Sequence, residues 1–141
     1  MSLLHLRSHT PETLSASWPG LDLAVARRVV RRVVGEDRDD LDGVRGLPAA
    51  LQRDLVSRSR TTRLDVVDRR RSAVDPFVKY LFRAPDGQVF ETVRIPLLHP
   101  RWSVCVSSQV GCALGGDFCE TGRVGFRRNL EPWEIVEQVL T

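Results

Sequence analysis

CVSSQVGCALGGDFCETGRVGFRRNL, running from Cys105 to Leu130, is the stretch that decides how this chain is read. It holds all three cysteines, Cys105, Cys112 and Cys119, with Gly111, Gly115, Gly116, Gly122 and Gly125 packed around them. A β-like run, Ser103 to Ser107, leads into it. A cysteine- and glycine-rich loop after a strand is one way a chain wraps a small inorganic cluster. Thiolates hold iron, and glycines let the backbone approach without a Cβ in the way.

Working outward, Glu131-Pro132-Trp133-Glu134 opens a helix, with Asn129 as a candidate cap and Pro132 in the first turn. Ile135, Val136, Val139 and Leu140 are its expected apolar face. On the other side, Phe77–Arg83 and Gln88–Ile95 read as two strands joined by Pro85-Asp86-Gly87, a β-hairpin.

The wording of this region resembles the RlmN/Cfr family of radical S-adenosylmethionine (SAM) RNA methyltransferases. Cys105 to Leu114, Phe118-Cys119, Thr121-Gly122, Gly125-Phe126 and Arg128-Asn129-Leu130 match the family's signature. In the hairpin, Lys79, Asp86-Gly87, Glu91-Thr92-Val93 and Ile95-Pro96 match as well. The resemblance implies a methyltransferase acting on an adenine carbon (C2) of ribosomal RNA, and of transfer RNA. It implies a 4Fe-4S cluster and SAM as cofactors and RNA as the partner. The cluster's CxxxCxxC spacing maps to Cys112, position 116 and Cys119, but position 116 is Gly116. By the same resemblance Cys105 and Glu91 take catalytic positions. Two thiolates leave a cubane weakly held, so stable binding of the cluster by this chain is not expected. Asp117 is a poor substitute ligand, one residue out of register. Apart from the resemblance, the cysteines read as small buried hydrophobes, and Glu91 as an exposed strand carboxylate paired with Arg94 or Arg83.

The implied fold is an α+β fragment in three parts. Residues 1–72 form a small helical, helix-hairpin-helix-like domain with a charged linker, residues 73–100 the hairpin, and residues 101–141 the first strand-loop-helix unit of an incomplete radical-SAM (β/α) barrel. A complete eight-fold barrel takes roughly 200–250 residues, so 141 residues predict a shortened product. Such a product is expected to be inactive alone; the alternatives are a non-catalytic RNA-binding remnant, or one half of a split enzyme whose barrel a separate chain completes.

In the first part, Thr10-Pro11-Glu12 signals a helix start. Leu21 to Val34 patterns as an amphipathic helix ended by Gly35, with Arg27, Arg28, Arg31 and Arg32 opposite its apolar side. That stripe is either a solvated face or an RNA-binding one. Gly43-Val44-Arg45-Gly46 precedes a second helix from Ala49 to about Ser57, and such a turn can face a phosphate. Arg58 to Ser72 reads as part strand, part linker. His5 and His9 have no partners at metal spacing and are expected to be solvent-exposed and incidental.

Net charge is +3 with a pI near 9.1, and Lys79 is the lone lysine. Arginine suits bidentate phosphate contacts. Three cysteines without a secretory signal argue against a disulfide framework, and no apolar run approaches the ~18 residues of a membrane span. The expected location is the cytoplasm.

Overall fold

Thr10 caps the first helix as its hydroxyl accepts a hydrogen bond from the Thr13 amide at 3.3 Å, with Pro11 in the first turn. The computed structural model describes residues 3–98 and 100–141 and divides between Thr62 and Arg63 into two compact units. In the first, β1 (Leu4–His5) leads to α1 (Pro11–Ser17) and α2 (Leu23–Val30), which passes into a π-helical turn, Arg31–Gly35. α3 (Ala49–Arg58) and β2 (Ser59–Arg60) follow, with β2 parallel to β1. Helix α2 starts two residues later than its apolar pattern predicts, because the Asp22 carboxylate accepts from the Val25 amide at 2.9 Å and fixes the cap there.

Leu14, Trp18, Val25, Val29, Leu41 and Leu55 form the core of this unit. His5 is not exposed: it is 7% accessible, and its Nε2 lies 3.0 Å from the Thr62 carbonyl. His9 is half-buried, and that burial holds its imidazole below the ordinary pKa. Both depart from the exposed reading, because β1 pairs with β2 and draws the N-terminal segment inward.

The second unit is built on a four-stranded antiparallel sheet in the order β3-β4-β5-β6. Its strands are β3 (Asp65–Arg71), β4 (Val78–Arg83), β5 (Val89–Pro96) and β6 (Trp102–Cys105). The hairpin turn is the expected one. Gly87 sits at φ +83° and the Asp86 carboxylate accepts from the Gln88 amide at 3.0 Å. Of the stretch Arg58 to Ser72, read as part strand and part linker, Asp65 to Arg71 is the strand: β3 pairs along β4 from Asp65↔Arg83 to Arg71↔Val78. The strand expected to begin the barrel, β6, also pairs antiparallel with β5, at Val93↔Cys105 and Arg94↔Val104, and so extends the hairpin sheet.

β7 (Gln109–Val110), α4 (Glu120–Arg123), β8 (Arg128–Asn129) and α5 (Pro132–Leu140) complete the unit, and β7 pairs antiparallel with β8. Asn129 ends β8 and does not cap α5. Glu131 does so, in a reciprocal capping box with Glu134. The buried face of α5 is also not the apolar one. Trp133, Glu134, Glu137 and Gln138 are buried, while Val139 is 58% exposed. Each buried polar side chain finds a partner for at least one of its polar atoms, which is what makes that orientation tenable. Arg128 makes two hydrogen bonds to Glu134, at 2.7 and 2.8 Å, and Arg63 reaches Glu137 at 2.9 Å.

Arg128 also donates to Asp86 at 2.6 Å, which ties the hairpin turn to the start of α5. That bond holds the Asp86 carboxyl below its usual range. A carboxylate whose folded pKa is depressed adds stability that is present above its unfolded pKa, about 3.9, and is lost as pH falls through the lower folded value. The hairpin turn should therefore loosen below about pH 4. In Asp86→Asn, which keeps the acceptor for Gln88 but has no charge to lose, this part of the acid limb should flatten. Amide exchange at Gly87 and Gln88 between pH 3 and 5 is the measurement, and identical profiles for the two proteins would refute the assignment.

Candidate functional site

The cysteine loop is set in place from both ends. At its start, Gln138 of α5 clamps Ser107: its side-chain oxygen accepts from the Ser107 amide at 2.8 Å, and its nitrogen donates to the Ser107 carbonyl at 2.9 Å. The same oxygen accepts from the buried Thr92 hydroxyl at 2.6 Å. Ser107 in turn donates its hydroxyl to the Glu91 carbonyl at 2.6 Å. Within the loop, backbone lies directly on backbone. A Cβ on Gly111 would fall 1.7 Å from the Gly125 carbonyl oxygen. One on Gly122 would lie 2.6 and 2.7 Å from the backbone oxygen and nitrogen of Gly116. The signature's glycines are therefore packing residues as well as turn formers.

Between this loop and the sheet lies a hollow of about 270 Å³ whose lining includes Glu91, Ser107, Gln109, Gly111, Glu120 and Thr121. Glu91 pairs with Lys79 at 3.3 Å rather than with Arg94 or Arg83. Arg94 is three residues away on the same strand, so the two-residue alternation turns it to the opposite face. Cys105 stands opposite Val93, two residues from Glu91, which puts Cys105 and Glu91 on the same face of adjacent strands. The structure thus brings together the two positions that the family resemblance marks as catalytic.

Cys112 is half-buried, and Cys119 is exposed at the start of α4. Hydrogen bonds from the Gly122 and Thr121 amides hold the Cys119 thiol below its ordinary pKa. Neither cysteine is the buried hydrophobe of the alternative reading, and Cys105 is likewise exposed. Position 116 offers no donor atom, and among the described residues no three His, Cys, Asp or Glu side chains are grouped to hold a metal. Asp117 is exposed. The donor set is two sulfurs, which does not fit the three thiolates that the resemblance requires.

The arginine stripe of α2 is largely engaged within its own unit. Arg32 is held by Glu36, Asp40 and the Asp42 carbonyl, at 3.0, 3.0 and 2.6 Å. Arg28 donates to the Arg45 carbonyl at 3.0 Å, and Arg27 lies 3.9 Å from Glu12. Arg28, Arg31 and Arg32 line a hollow of about 180 Å³ with Glu36, Gly43, Val44 and Arg45. That turn, Gly43-Val44-Arg45-Gly46, is the one that the sequence reads as able to face a phosphate, and Arg45 joins the α2 arginines in lining the hollow.

Comparison with known structures gives the class. A radical SAM methyltransferase from Sphaerobacter thermophilus superposes with a TM-score of 0.72 at 37% identity, over 97% of this chain and 40% of that one. Sequence narrows it further: the chain belongs with the RlmN-type RNA methyltransferases. It is 39% identical over 138 residues to the dual-specificity RNA methyltransferase RlmN of Syntrophotalea carbinolica, covering 96% of this chain and 37% of that protein. A probable RNA methyltransferase of Sorangium cellulosum is 50% identical over 134 residues, 92% of this chain and 33% of its own length. The chain thus spans well under half the length of these relatives. No family model matches it. No described helix is long and apolar enough to cross a membrane.

Proposed function

We propose that this chain is the RNA-engaging part of a methyltransferase lineage that modifies adenine C2 in ribosomal and transfer RNA, and that with glycine at position 116 it does not sustain the radical chemistry. It would work in the cytoplasm, against RNA. Gly116 between Cys112 and Cys119 carries the second half of this reading. The relatives named as RNA methyltransferases support the first. A three-thiolate site holds a 4Fe-4S cluster with one iron free to bind SAM and direct its reductive cleavage; two thiols leave that cluster without a third anchor. What remains for these residues is binding. The arginine-lined hollow at Gly43–Val44 and the exposed arginines of the sheet are suited to phosphate.

Two measurements on the chain as it stands test the two halves. After anaerobic incubation with iron and sulfide and removal of excess, it should retain no cluster; a brown protein that cleaves SAM overturns the disabled reading. Its affinity for RNA should fall steeply with salt, with a log–log slope of roughly −0.7 to −0.9 per phosphate neutralised. Absence of binding at low salt would remove the RNA reading.

A second reading is favoured by one observation. Leu114, Val124 and Phe126 are exposed around the loop, Phe118 is 98% accessible, and Val139 stands out from α5. Such side chains are ordinarily covered, which suits completion by further polypeptide. If so, the chain should self-associate on its own; a strictly monomeric, protease-resistant chain argues against it.

A further inference from the structure

The two faces of the four-stranded sheet differ in charge, and the difference follows from register. One face takes Asp68 and Arg70 from β3, Lys79 from β4, and Glu91 from β5. These side chains neutralise one another, Arg70 with Asp68 at 2.7 Å and Lys79 with Glu91 at 3.3 Å. The other face takes Arg69 and Arg71 from β3, Tyr80 from β4, Arg94 from β5, and Trp102 from β6. Its strands contribute no carboxylate to that face. α5 covers the hairpin-turn half of this face, with Trp133 against Phe82 and Phe90 and Gln138 on the Thr92 hydroxyl, and Tyr80 lies at its margin. Arg71, Arg94 and Trp102 lie toward the other end of the sheet.

At that end the cations are laid on the rings. The Arg94 guanidinium sits 3.7 Å from the centre of the Trp102 ring, and that of Arg69 lies 5.4 Å from the Tyr80 ring. Among the described residues, Arg69, Arg71 and Arg94 form no ion pair. Trp102 is 45% exposed, whereas Trp18 and Trp133 are buried. An antiparallel face bearing aromatic rings and planar guanidinium groups, with no carboxylate from its own strands, is how proteins hold unpaired nucleotides: bases stack on the planes and phosphates meet the arginines.

We infer that this sheet face, centred on Arg94 and Trp102 with Arg69, Arg71 and Tyr80 beside them, is a stacking platform for single-stranded RNA. The inference rests on the RNA reading above and locates the contact on the sheet of the second unit, at neither the α2 arginines nor the cysteine loop. Charge complementarity and exposed rings favour unpaired RNA over a duplex, whose bases are already stacked.

Because two of the three tryptophans are buried, quenching by a contacting base reports mainly on Trp102. Titration of the full chain with a single-stranded oligoribonucleotide should quench it, and a duplex of equal length should quench far less. Trp102→Ala should weaken single-strand binding roughly ten-fold, the scale of one lost base stack. Arg94→Lys keeps the charge but not the plane, so it should also weaken binding. The double change Arg69→Ala, Arg71→Ala should reduce the salt slope by about two, one per lost phosphate contact. Trp102→Phe keeps a ring on the platform and serves as the folding control. If RNA shifts anisotropy while Trp102→Ala and Arg94→Lys bind as the parent does, the platform is refuted and the RNA reading stands. If no RNA binds, both fall. Equal quenching by poly-glutamate shows a surface that reads charge alone, which also overturns the platform.

Discussion

Gly111→Ala should collapse the cysteine loop, at a cost of roughly 2–5 kcal/mol in the second unit. Two separate terms make up that figure. Gly111 is at φ +74°, and an L-residue in the left-handed region costs roughly 1–2 kcal/mol. The added methyl would also fall 1.7 Å from the Gly125 oxygen and 2.8 Å from its carbonyl carbon. Both are backbone atoms, which cannot swing aside as a side chain can. Relief requires the β7–β8 pair to part, with loss of the Arg127-to-Val110 backbone bond at 3.0 Å and of the buried packing of Val110. Overpacking of this kind costs roughly 1–3 kcal/mol. Two other glycines separate the terms. Gly87 and Gly125 are also at positive φ, +83° and +75°, but a methyl on either meets nothing within 4 Å. Gly87→Ala and Gly125→Ala should therefore show the handedness term alone. Exchange of the Arg127 amide is the direct reporter: it should speed up in Gly111→Ala far more than in the two controls. Equal effects at all three positions would mean that the Gly111–Gly125 contact adds nothing.

The hairpin and the loop were legible in the sequence because local chemistry settles them. Asp86-Gly87 between two alternating runs admits few other readings, and Gly87 takes the positive φ that such a turn demands. The helical unit was legible for the same reason, through Thr10, Pro11 and the α2 stripe. What could not be read is what tertiary pairing decides. β3 carries Arg69-Arg70-Arg71, which looks like a solvated linker until β4 supplies its partner. α5 presents Val136 and Val139 as an obvious apolar face, yet Glu134, Glu137 and Gln138 go inward because Arg128, Arg63, Thr92 and Ser107 are there to receive them. No helical periodicity encodes that, since the partners lie between 6 and 74 residues away along the chain. Cys105 and Glu91 were singled out from the family wording alone. That they share one sheet face is a consequence of the Val93↔Cys105 register.

The same logic predicts that a single substitution supplies what the cluster site lacks. Gly116 is not at positive φ, so a cysteine there incurs no handedness cost. The atoms its Cβ would meet belong to the Phe118 ring, at 3.2 and 3.3 Å. That ring is 98% exposed and free to turn away. The buried side of the loop, where Gly122 rests on the Gly116 backbone, is left untouched. Cys119 is already disposed toward the thiolate by the Gly122 and Thr121 amides, the form in which sulfur binds iron. Gly116→Cys should therefore take the chain from no retained iron to one cluster per molecule after anaerobic reconstitution, with the brown colour of thiolate-bound iron. Gly116→Ser, equal in bulk but without a soft donor, should stay colourless, and Gly116→Cys combined with Cys112→Ala should lose the gain. If Gly116→Cys takes up no more iron than the parent, the disability lies in the disposition of Cys112 and Cys119 and not in the absent sulfur. The proposal that one glycine separates this chain from its cluster-binding relatives would then be wrong.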